Sequence, residues 1–322
     1  MTASLAAGSA EIDVVIVNWN GGALVRACLE SLAVAGDEPA KTVVVVDNAS
    51  VDGSADGLER PDLRLTVINN SDNRGFGRAC NQGAALGRAP AILFLNPDTE
   101  VGPDALRIAL AALASDATVG IVGAQLVDET GRVQHMCARR PTAKSLIGQE
   151  LHLDRLMPSR VPTHFMTEWD HAASGPVDQV MGAFLLIRRS LFERLGGFDE
   201  RFHVYYEDVD LCARAWDAGF TVRHVAEATV RHEGQGTTRQ VKARRLFYIG
   251  RSRILYAAKH HGSVAAAALA AATFTVQLPL RLALALLRRS PREAGQVLHA
   301  AALLADAMPG LLKRLRRDPH VR

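Results

Sequence analysis

The sequence predicts an α/β fold, a mostly parallel sheet with helices on both faces, followed by a helical C-terminal tail. Three observations carry this. Runs of Val, Ile and Leu of strand length recur up to about residue 127, stretches of helical periodicity separate them, and beyond residue 241 the composition turns to alanine, leucine and arginine. Strands buried on both faces read as continuous apolar runs, and their alternation with amphipathic helices is the pattern of βαβ units.

The elements follow in order. "IDVVIVNW" (12–19) is the first strand, and Gly22 to Ala35 the first helix, with Leu24, Cys28, Leu29 and Leu32 on one face. "TVVVVDN" (42–48), "LRLTVIN" (63–69) and "AILFLN" (91–96) are three further strands, with helices predicted over Gly75 to Gly87 and Pro103 to Ser115. Between Arg139 and Val177 the pattern dissolves, and prolines 141, 158, 162 and 176 suggest a long irregular excursion. Residues 177–234 then read as a strand through Leu186, a short helix, a Gly-Gly loop and an aromatic segment. The acidic cluster Glu207-Asp208-Val209-Asp210, a helix beginning near Val209 and a strand ending at His232 complete that half.

Composition sets outer limits. A chain of 322 residues, 48% hydrophobic and 22% charged, can bury one large domain or a domain with an appendage. The four cysteines lie far apart with no CxxC pair, which argues against a zinc cluster or a disulfide framework and suits small core residues in a reducing compartment. "MTASLAAGSAEID" has no basic n-region and too short an apolar stretch for a signal peptide, so the bulk of the chain is expected in the cytoplasm. The net charge of +3 is uneven: residues 281–322 carry nine Lys/Arg against three Asp/Glu, leaving a mildly acidic body and a basic tail. Nucleic acid, anionic lipid or merely solvated helix faces would each account for such a tail.

Ligands of open α/β sheets bind outside the carboxyl ends of the strands. Here those ends are "NWN" (18–20), "DNAS" (47–50), "NNSDN" (69–73) and "NPD" (96–98). Each alone is explained by turns or helix caps; four in succession on the ligand side point to a site. In "NRGFGRACNQG" (73–83), Gly75-x-Gly77 follows a strand and opens a helix, but Cys80 holds the third glycine position of a dinucleotide fingerprint. A glycine-permitted close approach at a helix N-terminus, with Arg74 and Arg78 adding positive charge, suits a nucleotide or a diphosphate. Three carboxylates within four residues at 207–210 are costly unless they cap a helix, bind a cation or move protons.

The ordered set "VVIVNWN", "VVVVDNAS", "NRGFGRACNQG", "FLNPD", "MGAFLLIRR", "GGFDERF", "YEDVDLCARAW" and "RHEGQGT" resembles the inverting family 2 glycosyltransferases of GT-A fold, in particular their bacterial rhamnosyltransferase-like members. The resemblance spans about residues 12–260 and implies a nucleoside diphosphate sugar donor with a divalent cation, Mg²⁺ or Mn²⁺. It implies that Asn18 begins the nucleotide pocket, that Asp47 hydrogen-bonds the base, that Arg74 and Asn81 line base and ribose, and that Asn48, Gly75 and Asn96 also bind the nucleotide sugar. "NPD" occupies the DxD position: Asp98 matches the metal-binding carboxylate, and Asn96 departs from the first aspartate, leaving one formal negative charge fewer. Met181 and Gly182 would flank donor sugar and acceptor, Asp208 would be the base with Glu207 as second candidate, and His232 would complete the metal site. The remaining ten histidines share no metal-ligand spacing.

The chemistry agrees with that assignment. A departing nucleoside diphosphate gathers negative charge that a divalent ion stabilises, and an acceptor hydroxyl needs a carboxylate to take its proton. The acceptor implied is a saccharide or a polyprenyl-linked saccharide in cell-envelope polysaccharide synthesis, with the 139–177 excursion as an acceptor-side lid. The expected division is a flexible N-terminus over 1–11, a GT-A domain over 12–240 with a nucleotide-binding half (12–127) and an acceptor half (128–240), and a helical, basic region over 241–322. Val264 to Leu280 is a 17-residue apolar span interrupted by Gln277 and Pro279, marginal against the roughly 20 residues a bilayer crossing needs. A tail lying on the inner face of the cytoplasmic membrane is therefore expected, with no nucleic-acid partner. A Rossmann-type oxidoreductase and a non-catalytic sugar-nucleotide or carbohydrate-binding module are the alternative functions; NAD binding would reveal the first, and ligand binding without turnover the second.

Overall fold

In the computed structural model, which describes residues 11–35, 39–161, 163–234 and 242–317, the predicted apolar runs pair side by side. β1 (Glu11–Asn18), β2 (Ala40–Asp47), β3 (Arg64–Asn69) and β4 (Ala91–Leu95) are mutually parallel, in the spatial order β3-β2-β1-β4. β-Branched side chains favour this pleated, doubly covered surface. Alternate residues of β1 enter different cores. Ile12, Val14 and Ile16 pack with Val43, Val45 and Leu93, whereas Val15 and Val17 pack with Val44, Val46 and Phe94.

Helices cover both faces. α1 (Leu24–Val34) and α3 (Ala105–Ala114) contribute to the first core, and α2 (Phe76–Ala84) to the second. The buried stripe of α1 is Val25, Cys28, Leu29 and Leu32, so Val25 takes the place predicted for Leu24, which stays half-buried at the first helical position. All four cysteines are buried.

The rest of the sheet departs from a simple parallel succession. β8 (Phe184–Arg188) inserts antiparallel between β4 and β6 (Val119–Val127), and β9 (Thr221–His232) pairs in parallel with β6. β5 (Thr99–Val101) and β7 (Gly175–Val177) add short antiparallel pairings to β9. α6 (Arg189–Arg194) and α7 (Glu207–Asp217) follow β8, and α7 starts two residues before the predicted Val209.

One buried ion pair pins β1 to the start of α6. Asp13 accepts hydrogen bonds from the Ala89 N–H (2.8 Å) and the Arg189 guanidinium (2.5 Å), and Arg189 also donates to the carbonyls of Ala89 and Ala84. Removing one member of such a pair strands a charge in the interior, at a cost of about 3–5 kcal/mol. Arg189→Met is therefore expected to lower unfolding free energy by that order in urea titration. A change below about 1 kcal/mol, the range of exposed pairs, would mean that the pair is solvated.

The contacts divide the chain into two compact units, one of Met1–Arg139, Phe165–His203 and Glu207–Thr237, the other of Arg140–His164, Val204–Tyr206 and Thr238–Arg322. The first holds the sheet. In the second, the predicted irregular excursion instead contains α4 (Ala143–Glu150) and the short α5 (Leu153–Leu156). Thr142 and Ser145 form a reciprocal capping box at the start of α4. At its end, buried Glu150 pairs with Arg253 and accepts from Thr273 (3.1 Å).

The C-terminal helices are α8 (Lys242–Ala272), α9 (Leu278–Leu287) and α10 (Pro291–Arg317), with a π-helical turn over Thr273–Gln277 between the first two. α8 breaks at Gly262, whose φ of 85° is left-handed. The stretch Lys242–Leu287 is long and apolar enough to cross a bilayer by length and composition, with a third of its most apolar window buried within the protein.

Candidate active site

The parallel register brings the predicted polar strand ends together. Asn18 stands opposite Asp47, and Asp47 opposite Asn69. Asn18 is fully buried, and its amide N–H groups reach Asp47 (2.8 Å), Ser50 (3.1 Å) and Ser54 (2.8 Å). The Asp47 carboxylate also accepts from the Ser50 N–H (2.9 Å) and hydroxyl (2.5 Å). Asn18 Oδ1 has no partner among the described residues.

Asn48 works one layer further in. Its amide donates to the Gly75 carbonyl (3.2 Å) and accepts from Asn70 (3.1 Å) and from the Arg74 N–H (3.4 Å). Asn70 in turn exchanges two hydrogen bonds with Gln82 of α2. Asn48 thus holds the "NRG" loop against the end of β2. The Arg74 side chain is half-exposed beside Asp72 (3.5 Å).

Gly75 caps α2 with φ +88°, and a Cβ there would fall 2.4 Å from the His203 carbonyl oxygen. That oxygen accepts from the Phe76 N–H (2.6 Å). Only glycine permits both the torsion and the approach. Asn81, further along α2, exchanges hydrogen bonds with the Phe198 backbone (2.8 and 2.9 Å) and reaches Glu200. Its amide is engaged in holding the Gly-Gly loop.

The "NPD" turn is fixed from two sides. The Asn96 N–H donates to the Ala183 carbonyl (3.0 Å), and the Thr99 hydroxyl donates to the Asn96 carbonyl (2.6 Å). β5 then pairs with the end of β9, placing Thr99 opposite His232, and the Glu233 N–H donates to the Asp98 carbonyl (3.0 Å). As a result His232 Nε2 lies 3.6 Å from the Asp98 carboxylate, both side chains being buried.

Gln134, which no motif marked, decides the state of that histidine. Its amide N–H donates to the His232 carbonyl (2.7 Å), which turns its oxygen toward His232 Nδ1 (2.8 Å). Nδ1 therefore carries the proton, and the Nε2 lone pair faces Asp98. Burial pushes the imidazole below its ordinary range against the pull of Asp98. A neutral ring and a carboxylate facing each other suit a shared cation, with the hydrogen bond to Gln134 orienting the ligand. Among the described residues no group of three or more His, Cys, Asp or Glu side chains gathers to hold a metal. Asp98 and His232 are the two residues that could hold a divalent ion, which would supply charge stabilisation there.

The acidic cluster opens α7 and separates into three environments. Asp210 is fully buried and paired with Arg214 (2.7 Å), which also clamps the carbonyls of Leu195 and Gly197. Glu207 is buried, and its Oε2 has no partner among the described residues. Burial, then the adjacent Asp208 and Asp210, push its carboxyl well above the usual range. Asp208 is half-buried and accepts from the Gly182 N–H (2.9 Å) and from Val209 N–H (2.8 Å). Burial raises its carboxyl too, opposed by those two donors.

Tyr205 and Tyr206, just before this helix, both have left-handed φ values, 67° and 70°. Non-glycine residues in that region cost about 1–3 kcal/mol each and cluster at functional sites. Met181 and Gly182 precede β8, so the Gly182 bond to Asp208 and the Ala183 bond to Asn96 come from neighbouring peptide units. The structure thus joins Asp98, His232, Asn96, Gly182 and Asp208 through short contacts. Asn18, Asp47, Asn48 and Gly75 form a second connected group. Sequence reasoning missed Ser54 and Gln134, whose partners are distant in sequence, and marked Ser50 and Asn70 only as parts of the strand-end runs "DNAS" and "NNSDN". Gln235 to Thr237 of the "RHEGQGT" motif lie outside the described residues.

Comparison with known proteins identifies the family and the fold. The family described as "Glycosyltransferase like family 2" matches residues 10–247. An N-acetylglucosaminyl-diphospho-decaprenol L-rhamnosyltransferase of Mycobacterium tuberculosis is 31% identical over 265 residues, covering 78% of this chain and 85% of the relative. An O-antigen chain rhamnosyltransferase of Salmonella typhimurium is 26% identical over 236 residues, covering 71% and 68%. Among solved structures, a mannosyltransferase of Pyrobaculum calidifontis in complex with GDP-Man and Mn²⁺ superposes with a TM-score of 0.54 at 21% identity, covering 91% of this chain and 86% of that one. TarS of S. aureus in complex with UDP-GlcNAc gives 0.51 at 19% identity, covering 90% and 79%. These structures share the GT-A fold, which leaves the dinucleotide oxidoreductase reading without support. With the family matched across the whole sheet and its polar strand ends, the chain belongs to the family 2 glycosyltransferases.

Proposed function

We propose that this glycosyltransferase moves a sugar, rhamnose first among candidates, from a nucleoside diphosphate donor to a saccharide carried on a polyprenyl diphosphate, with inversion, during cell-envelope polysaccharide synthesis. The observation that carries the reading is the chain of contacts from His232 and Asp98 through Asn96 and Ala183 to Gly182 and Asp208. It sets a cation-binding pair beside a carboxylate, as donor activation and acceptor deprotonation require. The two rhamnosyltransferase relatives, one named for a lipid-linked N-acetylglucosamine, support the choice of sugar and acceptor.

Each residue has a task in this reading. Asn18 and Asp47 form the hydrogen-bonded floor on which the base rests. Gly75 lets His203 close on the N-terminus of α2, and the half-exposed Arg74 beside it offers positive charge to phosphate oxygens. Asp98 and His232 would hold Mg²⁺ or Mn²⁺, which when bound would offset the charge of the leaving diphosphate. Asp208, held by the Gly182 N–H, takes the acceptor proton, while Glu207, which burial and the adjacent Asp208 and Asp210 push toward its protonated form, is the less suited of the two. Two neighbouring carboxyls with different surroundings thereby acquire different roles.

The domain assignment belongs to the same proposal: catalysis in residues 12–240, and membrane attachment through 241–322 at the inner face of the cytoplasmic membrane. Exposed Leu284, Leu286 and Leu287 beside Arg288 and Arg289 favour a helix lying on a lipid surface. The full chain is expected to co-sediment with anionic vesicles, less so at high salt, and not with neutral ones. Equal partition to both would favour a helical hairpin packed within the protein. The function itself is tested by incubating the protein with TDP-, UDP- and GDP-sugars and an N-acetylglucosaminyl diphospho-lipid. Transfer from one donor class supports the proposal; binding of a sugar nucleotide without turnover would favour a binding module.

A further inference from the structure

A second charged cluster belongs to the helical unit. Glu150, at the end of α4, is buried and pairs with Arg253 of α8. Arg253 also donates to the Gln149 side chain (2.9 Å), and the Thr273 hydroxyl donates to the second Glu150 oxygen (3.1 Å). Glu150, Arg253, Thr273 and Gln277 line one small cavity, and Arg281 follows Gln277 by about one helical turn. Surrounding protein lowers the Arg281 guanidinium, first by excluding water and then through the charges of Arg253 and Arg155, against the pull of Glu150. Three guanidinium groups thus share one carboxylate.

That ratio leaves two positive charges over. Arg253 is committed to Glu150, whereas Arg155 and Arg281 reach solvent. Among the described residues neither forms an ion pair, with the adjoining Asp154 or with any other acid. The surface around them is apolar. Leu156 and Met157, directly after Arg155, are 75% and 38% exposed, and Leu280 and Leu284, on either side of Arg281, are 39% and 41% exposed. Large apolar side chains left in water beside uncompensated guanidinium groups mark a surface for an amphiphile with an anionic head.

A diphosphate esterified at both ends keeps two ionised oxygens, one for each spare guanidinium, and guanidinium forks suit phosphate oxygens. The phosphodiester headgroup of an ordinary bilayer lipid brings only one. We infer that Arg155 and Arg281 grip the diphosphate of the lipid-linked acceptor, with Leu156, Met157, Leu280 and Leu284 against its first isoprenyl units. The inference rests on the glycosyltransferase reading above and names the acceptor feature that the helical unit recognises.

The test uses the full-length protein in a neutral detergent, where no bilayer headgroup competes. Arg155→Gln, Arg281→Gln and the double variant are assayed with N-acetylglucosaminyl diphospho-lipid and with an alkyl N-acetylglucosaminide that lacks the diphosphate. Both arginines reach solvent, so neither substitution breaks a buried pair. Each is expected to raise KM for the diphospho-lipid about tenfold, the worth of one charge-assisted hydrogen bond, with KM for the alkyl glycoside and for the donor little changed. Equal loss on both acceptors, or none on either, overturns the inference. Phosphatidylglycerol added to the micelles should leave the wild-type KM as it was; if it competes with the acceptor, the arginines bind a bilayer headgroup and the inference falls. A direct readout needs no turnover. Geranyl diphosphate, titrated calorimetrically in EDTA, should bind the wild type at least about tenfold more tightly than the double variant, and equal affinities overturn the site. Absence of transfer to either acceptor from every nucleotide sugar overturns the glycosyltransfer reading instead, and the geranyl diphosphate titration still judges the arginines.

Discussion

Asp208→Asn is expected to cut the transfer rate by about 10²-fold or more, the usual contribution of a general base, while donor affinity stays within a few-fold. The substitution keeps the shape of the side chain and one of the two oxygens, so either the Gly182 N–H (2.9 Å to Oδ2) or the Val209 N–H (2.8 Å to Oδ1) retains its acceptor. What it removes is the site that accepts the proton. Calorimetric donor binding beside a radiolabelled transfer assay separates the two effects. Near wild-type transfer would place the base elsewhere, and collapse of donor binding would make Asp208 a structural residue. The wild-type pH profile is a second check. A base works only when ionised, and burial raises this carboxyl. Activity is therefore expected to fall, as the pH is lowered, through a value above the ordinary aspartate range near 4. Asp208→Asn should abolish that limb of the profile.

Asp98→Ala is the other large loss. It deletes the carboxylate that faces the His232 lone pair at 3.6 Å, and no third acidic or histidine ligand gathers there among the described residues to replace it. Transfer is expected to fall by at least about 10³-fold, equivalent to the several kcal/mol that a Lewis acid supplies. Nucleotide affinity should lose its dependence on added Mn²⁺ in the same variant. Chelation of the wild type should reproduce the loss, and readdition of metal should reverse it. Full wild-type activity in excess EDTA would remove the cation from the mechanism. His232→Ala should be milder, because the carboxylate carries the charge and the neutral ring only completes the shell.

Much of this was legible in the sequence, for reasons that differ from element to element. β1, β2 and β4 are read correctly because their doubly buried stretches, Val14 to Val17, Val43 to Val46 and Ala91 to Leu95, are unbroken apolar runs, so Asn18, Asp47 and Asn96 mark where they end. Two departures came from tertiary context. Val25 rather than Leu24 faces the core, a shift smaller than periodicity alone resolves. α4 escaped notice because prolines 141 and 158 flank it, although Thr142 and Ser145 cap it and Leu146 buries its face. Gln134 and Ser54 carry no pattern at all, and Asn70 shows only as one member of the polar run "NNSDN". Each matters through a partner remote in the chain, and that proximity exists only once the sheet has closed. The roles assigned to the site residues come from the family resemblance and remain for the Asp98 and Asp208 substitutions to judge.

The bond between the Asn96 N–H and the Ala183 carbonyl has a bearing on how such an enzyme changes over time. Both partners are main-chain atoms, so the link is indifferent to which side chains occupy positions 96 and 183, proline at 96 excepted. In the proposed mechanism, the turn that carries Asp98 and the segment whose Gly182 N–H holds Asp208 are thereby joined by the peptide backbone. Side chains that select one sugar over another can be exchanged around it while the reacting groups keep their spacing. A new specificity then requires a reshaped pocket wall, and the catalytic frame is inherited intact.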